Sequence, residues 1–300
     1  MKNNFKMIIV KLLGGLGNQM FQYAMGKRLA ILHGTEMQFE IDGLEAGEDI
    51  RKTYELGVFN IPNEEFVSVI ELSEYKRKTK FKSKGLQNLS NKLNKRSMVV
   101  ENGHFPFNQS FVDASTENCY VRGLWQSEKY FIDVEEEIRS DFEFKFPMTG
   151  DNLNLAQELN ETMNSVALHV RRGEFANNPK FNKLIGSCDA EYFKRAISEV
   201  ENRVGKVKYY VFSDDLEWAK TNLPLGDDAT FVDYNSEKDH YRDIQLMSLC
   251  KHNIISNSTF SWWGAWLNRN PDKVVVAPKK WFAGWQYDTK DLIPENWTRL

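Results

Sequence analysis

Apolar and polar positions alternate along this chain in two successive series of strand and helix signals. Met7–Leu13 is an apolar run of strand length, broken only by Lys11, and a glycine turn follows it. Asn18–His33 then places Met20, Tyr23, Ala24, Lys27 and Ile31 at mixed three- and four-residue spacing, which predicts a helix. Glu36–Ile41 predicts a second strand, so the chain opens with a βαβ unit. The stretch Leu44–Asn118 is less regular and reads as mostly helical. Cys119–Leu124 predicts a strand, and Asp133–Phe142 a helix rich in acids at its start.

A second series begins near Asp151. Strands are expected at Ser165–Val170, Val207–Ser213, Thr230–Val232, Asn253–Ser256 and Val274–Ala277. Helices are expected at Ala190–Val204, Leu216–Thr221, Tyr241–Lys251 and Phe260–Asn268. Strands alternating with helices predict parallel sheets, here in two α/β domains divided at 1–148 and 149–300.

Composition narrows the classes. The chain has 300 residues, 41% of them hydrophobic, enough for two cores. A formal net charge of −3 argues against a general nucleic-acid binder. Cys119, Cys188 and Cys250 are far apart and without metal-ligand spacing, the pattern of a reduced protein. No apolar run approaches the roughly 18 residues of a membrane span, and Met1–Gly15 lacks a small-residue cleavage site. One charge asymmetry stands out: Lys76–Arg96 holds nine Lys or Arg and no acid. It reads as a solvated face or as an attractor for an anionic partner, either a lipid surface or a lipid-diphosphate-linked acceptor.

Three segments carry candidate chemistry. Ile254–Asn268 (IISNSTFSWWGAWLN) sets a small polar run before an aromatic helix, in which Trp263 and Trp266 are expected on one face and Trp262 on another. Ser258 and Thr259 at that helix start, followed by Phe260, suit an anion or serve as a plain cap. His169-Val170-Arg171-Arg172-Gly173-Glu174 leaves a strand, where a guanidinium is placed to grip a diphosphate in bidentate fashion. Gly14-Gly15-Leu16-Gly17-Asn18-Gln19 links strand to helix but matches neither the dinucleotide nor the P-loop pattern. Asn18 and Gln19 supply amides there, to a ligand or to the turn itself.

These segments together, from about Lys6 to Trp281, resemble the α-1,2-fucosyltransferase family, whose members use GDP-fucose. The resemblance implies a GT-B architecture, two Rossmann-like domains facing a cleft, with acceptor on the 1–148 side and GDP-fucose on the 149–300 side. It implies a galactoside 2-α-L-fucosyltransferase that inverts the anomeric centre, acting on a galactose-terminated oligosaccharide such as a surface polysaccharide repeat. Animal members carry a membrane anchor, so a soluble bacterial enzyme is expected here, cytoplasmic and peripheral at the inner membrane through 76–96. Arg171 is implied as the diphosphate ligand, with His169 among the residues that bind the nucleotide sugar and Arg172 bracing the site. No cofactor and no metal is implied, so Asp214 and Asp215 are expected to serve ribose or loop order, with helix capping as the alternative. Asp243 lies at the offset where distant fucosyltransferases read guanine, and a helix N-terminal acid is the alternative. The family motif ends in Asp, whereas this chain has Glu174. Glu174 is the first candidate for the acceptor's base and Asp42 the second. The rival reading is a non-catalytic glycan- or nucleotide-binding protein that uses the tryptophans as an exposed sugar platform.

Overall fold

The structure, a computed structural model, describes residues 6–45, 53–68, 72–73, 97–101, 105–173, 176, 178–235 and 238–300. The basic segment 76–96 and Glu174 lie outside the described residues. The chain forms two compact units. One comprises Met1–Lys145 with Lys290–Leu292, the other Phe146–Thr289 with Ile293–Leu300.

The described strands of the first unit are β1 (Met7–Lys11), β2 (Glu36–Glu40), β3 (Ser97–Val100) and β4 (Asn118–Arg122), ordered β2-β1-β4-β3 and all parallel. The helix Leu16–His33 lies against β1 and is buried on most of its circumference, which accounts for its mixed apolar spacing. Tyr23 donates to Asp141 Oδ2 at 2.6 Å and Lys27 reaches the same oxygen at 2.6 Å, fastening this helix to Glu135–Asp141. β3 corrects the expectation of a mostly helical stretch. Its alternating burial, with Ser97 and Val99 inside and Met98 exposed, is a strand signal diluted by the charged sequence before it.

In the second unit the order is β10-β9-β8-β5-β6-β7, again parallel. These are β5 (Ser165–Val170), β6 (Lys208–Ser213), β7 (Thr230–Val232), β8 (His252–Ile254), β9 (Val275–Ala277) and β10 (Thr298–Arg299). All six residues of β5 are buried, as a central parallel strand requires. The helix Ala190–Val204 packs on the sheet through Tyr192, Phe193, Ala196, Ile197 and Val200, and Asp189 caps it by accepting the Tyr192 N–H at 2.8 Å. A helix at Gly150–Glu161 and the two-residue β10 were not anticipated.

The aromatic helix, Thr259–Leu267, differs from expectation. Trp262, Trp263 and Trp266 are all buried. Trp262 stacks on Trp266, one turn on, with centroids 6.2 Å apart and an 11° tilt, and also meets Trp297 at 5.4 Å. Trp262 thus faces the core with the other two. An exposed tryptophan platform, on which the rival lectin reading rested, is absent from this helix. Among the described residues no helix is long and apolar enough to cross a membrane.

Candidate active site

In an open parallel sheet, ligands sit beyond the strand carboxyl ends where the strand order reverses. In the second unit that point is β5. The chain proceeds from β5 to β6 and β7 on one side, then returns to place β8 on the other. Arg171 and Arg172 leave β5, Asp214 and Asp215 leave β6, and Ser256–Ser258 leave β8. Register brings them together: Val170 pairs with Ser213, so the next residues out are Arg171 and Asp214.

Arg171 Nη1 lies 2.9 Å from Asp214 Oδ2, and Asp214 Oδ1 accepts the Arg172 backbone N–H at 2.8 Å. Gly173 makes room for this carboxylate, since a Cβ there would overlap Asp214 Oδ2. Arg172 turns away. Its guanidinium covers the Trp218 ring at 4.0 Å and approaches Asp215 at 3.5 Å. Asp215 caps the helix Leu216–Asn222, accepting from Trp218 N at 3.2 Å. Arg171 is thus paired with Asp214, while Arg172 and Asp215 hold the loops, and both pairs are partly exposed.

His169 is buried and its Nδ1 lies 2.9 Å from Ser256 Oγ. Burial pushes its pKa down to about 3, against the raising influence of Asp214. The imidazole is neutral at physiological pH and contributes no cation to the site. Its ring lies 5.8 Å from Phe260, whose other neighbour is His240 at 5.7 Å. Ser258 is the N-cap residue of Thr259–Leu267 without making a side-chain cap bond, and Ser258, Thr259 and Phe260 are all half-buried. The N–H groups of that first turn carry the positive end of the helix dipole.

Asn257 fixes this turn. Buried, it donates through Nδ2 to Gly186 O and Trp281 O, both at 3.1 Å, and accepts from Cys188 Sγ at 3.6 Å. Asp243 stands in the first turn of the helix Tyr241–Leu249, which packs against Thr259–Leu267. Its Oδ1 accepts from Asn235 Nδ2 at 2.7 Å, and burial pushes its pKa up to about 7. His240 and Asn235 lay outside the sequence reading, and Asn257 entered it only as part of the polar run, because nothing in their local pattern marks a polar loop residue whose partner comes from another element.

In the first unit, Gly14 takes a left-handed φ of 74°, and Asn18 and Gln19 follow at the helix start. Gln19 donates both amide hydrogens internally, to Gly14 O at 2.8 Å and Thr53 O at 2.9 Å, and accepts from Glu55 N at 2.9 Å. Of the two roles open to it, the amide serves the turn and ties the glycines to residues 53–55. Asn18 Oδ1 accepts from Gln126 at 2.9 Å, joining the turn after β1 to the loop after β4. Those two strands flank this sheet's own reversal point. Asp42 is exposed and opens the short helix Asp42–Glu45 beyond the carboxyl end of β2.

Glycosyl transferase family 11 matches residues 107–300. The chain belongs to that family. Among curated relatives, an alpha-1,2-colitosyltransferase from Escherichia coli is 31% identical over 98% of each chain. The O-antigen biosynthesis glycosyltransferase WbnK, also from Escherichia coli, is 32% identical over 96% of this chain and 98% of its own. Human galactoside alpha-(1,2)-fucosyltransferase 1 is 25% identical over 58% of this chain and 49% of its own. Of solved structures, the fucosyltransferase NodZ from Bradyrhizobium covers 87% of this chain and 92% of its own, with a TM-score of 0.50 and 13% identity. The family 11 chain thus has the GT-B class of fold, with two Rossmann-like α/β units.

Proposed function

We propose that this family 11 glycosyltransferase moves L-fucose from GDP-β-L-fucose to the 2-hydroxyl of a terminal galactose in a surface glycan, inverting the anomeric centre. The observation that carries the reading is the Arg171–Asp214 pair at the switch point of the second sheet, in the same unit as the helix start at Ser258. As the glycosidic bond breaks, negative charge grows on the departing diphosphate, and a guanidinium that strengthens its grip then lowers the barrier. Asp243 accepts the two adjacent N–H donors of guanine. Transfer runs without metal or cofactor beyond the co-substrate, and Asp214 is committed to Arg171 and the Arg172 N–H. Glu174, or failing it Asp42, takes the acceptor proton. A lipid-diphosphate-linked acceptor and peripheral membrane contact through 76–96 belong to the same proposal.

A second donor competes. The colitosyltransferase relative spans nearly the whole chain, and colitose is L-fucose without its 3-hydroxyl. A site that hydrogen-bonds that hydroxyl rejects the deoxy sugar by orders of magnitude, whereas an apolar one takes both. The purified protein, given GDP-fucose or GDP-colitose with galactosides and excess EDTA, is expected to prefer GDP-fucose and form an α-1,2 linkage readable by NMR. A preference for GDP-colitose would replace the donor. Loss of turnover with EDTA, restored by a divalent ion, would overturn metal independence.

A further inference from the structure

We infer that Asn235, clamped by Asn152, is a positioning residue that selects the guanine base by holding Asp243 through one hydrogen bond to one carboxylate oxygen and leaving the remaining lone pairs of the carboxylate for the ligand. The inference rests on the proposed guanine-reading role of Asp243 and names what sets its geometry.

Asn152 lies in the first turn of the helix Gly150–Glu161, and Asn235 in the loop after β7. Their amides exchange two hydrogen bonds, Asn152 Nδ2 to Asn235 Oδ1 at 2.8 Å and Asn235 Nδ2 to Asn152 Oδ1 at 3.1 Å. Such a reciprocal pair sets the Asn235 amide plane and its Oδ1/Nδ2 sense. The Asn235 Nδ2 group then donates also to Asp243 Oδ1 at 2.7 Å. Three residues from three elements form one relay, and Gly150–Glu161 packs directly on Tyr241–Leu249.

The neighbouring cation is kept out of the relay. Arg242 is buried and directs its guanidinium to the carbonyls of Phe146 and Pro147, each at 2.9 Å, and to Gln245 at 2.8 Å. The Asp243 carboxylate is thus oriented by a neutral amide while its adjacent arginine is committed elsewhere. A salt bridge at this point would occupy the carboxylate that guanine is to use. An amide fixes direction and leaves lone pairs on both oxygens as acceptors. Among the described residues, the other ionisable groups near it include His240, which precedes the helix, and Tyr234 beside Asn235, the latter with Asp151, Asp233 and Glu158 close by.

The hydrogen bond from Asn235 favours the ionised form of Asp243, opposing the effect of burial. Loss of Asn235 therefore has a signature that general loosening of the loop lacks: the pH at which guanine preference appears moves upward.

The test is calorimetric titration of the full chain with GDP and with ADP across pH 6–8, for the parent, Asn235→Ala, Asn152→Ala and Asp243→Asn. Asn235→Ala is expected to weaken GDP binding roughly tenfold, as loss of a hydrogen bond to a charged group does. ADP binding should hold, and the midpoint of the GDP preference should rise in pH. Asn152→Ala is expected to shift both in the same direction by less, and it stands in if Asn235→Ala does not fold. If Asp243→Asn loses base preference while Asn235→Ala and Asn152→Ala keep the parent preference and midpoint, the relay is refuted and guanine reading by Asp243 survives. If Asp243→Asn keeps the parent's GDP preference, both ideas fall. An equal loss of GDP and ADP binding in the asparagine variants would also overturn the relay, since it marks a merely structural role.

Discussion

Asp214 Oδ2 sits 2.9 Å from Arg171 Nη1, and the same carboxylate anchors the backbone one residue further on through Arg172 N–H. The arginine is therefore held at the strand end before any diphosphate arrives. Alignment of a guanidinium in advance means that its field need not reorganise during bond cleavage. Arg171→Ala should reduce kcat/KM by orders of magnitude, because the charge growing on the departing diphosphate loses its partner in the transition state. Arg171→Lys should recover little, because an ammonium lacks the planar fork. Steady-state kinetics decide it: near-parental turnover in the lysine variant excludes a bidentate diphosphate grip.

Gly173 predicts a quieter variant. A methyl group at 173 would collide with Asp214 Oδ2, so Gly173→Ala should displace the carboxylate and with it Arg171. Misplacement by an ångström at a reacting centre can cost up to about a hundredfold in rate. Thermal unfolding should change little, since the position lies outside the core clusters. A variant with parental kcat would show that Asp214 does not set the arginine's position.

Guanine preference should depend on pH. The Asp243 carboxyl, raised by burial to about 7, is protonated below that pH and then lacks the charge that two N–H donors want. The acid form dominates at pH 6 and the ionised form at pH 8, so the ratio of GDP to ADP affinity should rise about tenfold between them. Taking the ratio cancels titration of the shared diphosphate. A flat ratio, measured by calorimetry at constant ionic strength, would remove Asp243 from base recognition.

Glu174 separates a base from a brace. If it takes the acceptor proton, Glu174→Gln should lower kcat by roughly 10²–10⁴ with donor affinity nearly unchanged. If it orients Arg171, the same variant should bind GDP-fucose poorly. Glu174→Asp, the family's own choice, should remain active. A kcat within about threefold of parental for Glu174→Gln moves the base to Asp42.

Sequence and structure agree best where one physical signal dominates. Ser165–Val170, Ala190–Val204 and Thr230–Val232 match their expected limits residue for residue. The first is an unbroken buried run, the second a strongly amphipathic helix with an Asp cap, and the third a short strand between turns. The alternation in Ser97–Val100 was hidden behind the charged stretch before it. Trp262 was set apart from Trp263 and Trp266 because helical spacing counts faces, whereas this helix is covered nearly all round and all three are buried. Motif residues Arg171 and Asp214 were legible because each follows directly from a strand, and Ser258 because it stands directly before a helix. Asn235 was not, since its partner Asn152 is 83 residues earlier in the chain and only the folded unit brings them together. The internal role of Gln19 was hidden in the same way, because its partners at 53–55 sit in a loop with no periodic signal.

Asn257 has a thermodynamic consequence. Its side chain stitches the turn before Thr259–Leu267 to the carbonyls of Gly186 and Trp281, so this turn is already in one conformation when a ligand approaches. An anion meeting the N–H groups of that helix start then orders few backbone torsions, and little of its interaction enthalpy is offset by lost chain entropy. Without the stitch, association at this turn would carry a larger entropic penalty at unchanged contacts. The difference would be read in the temperature dependence of binding, while the bound geometry stayed the same.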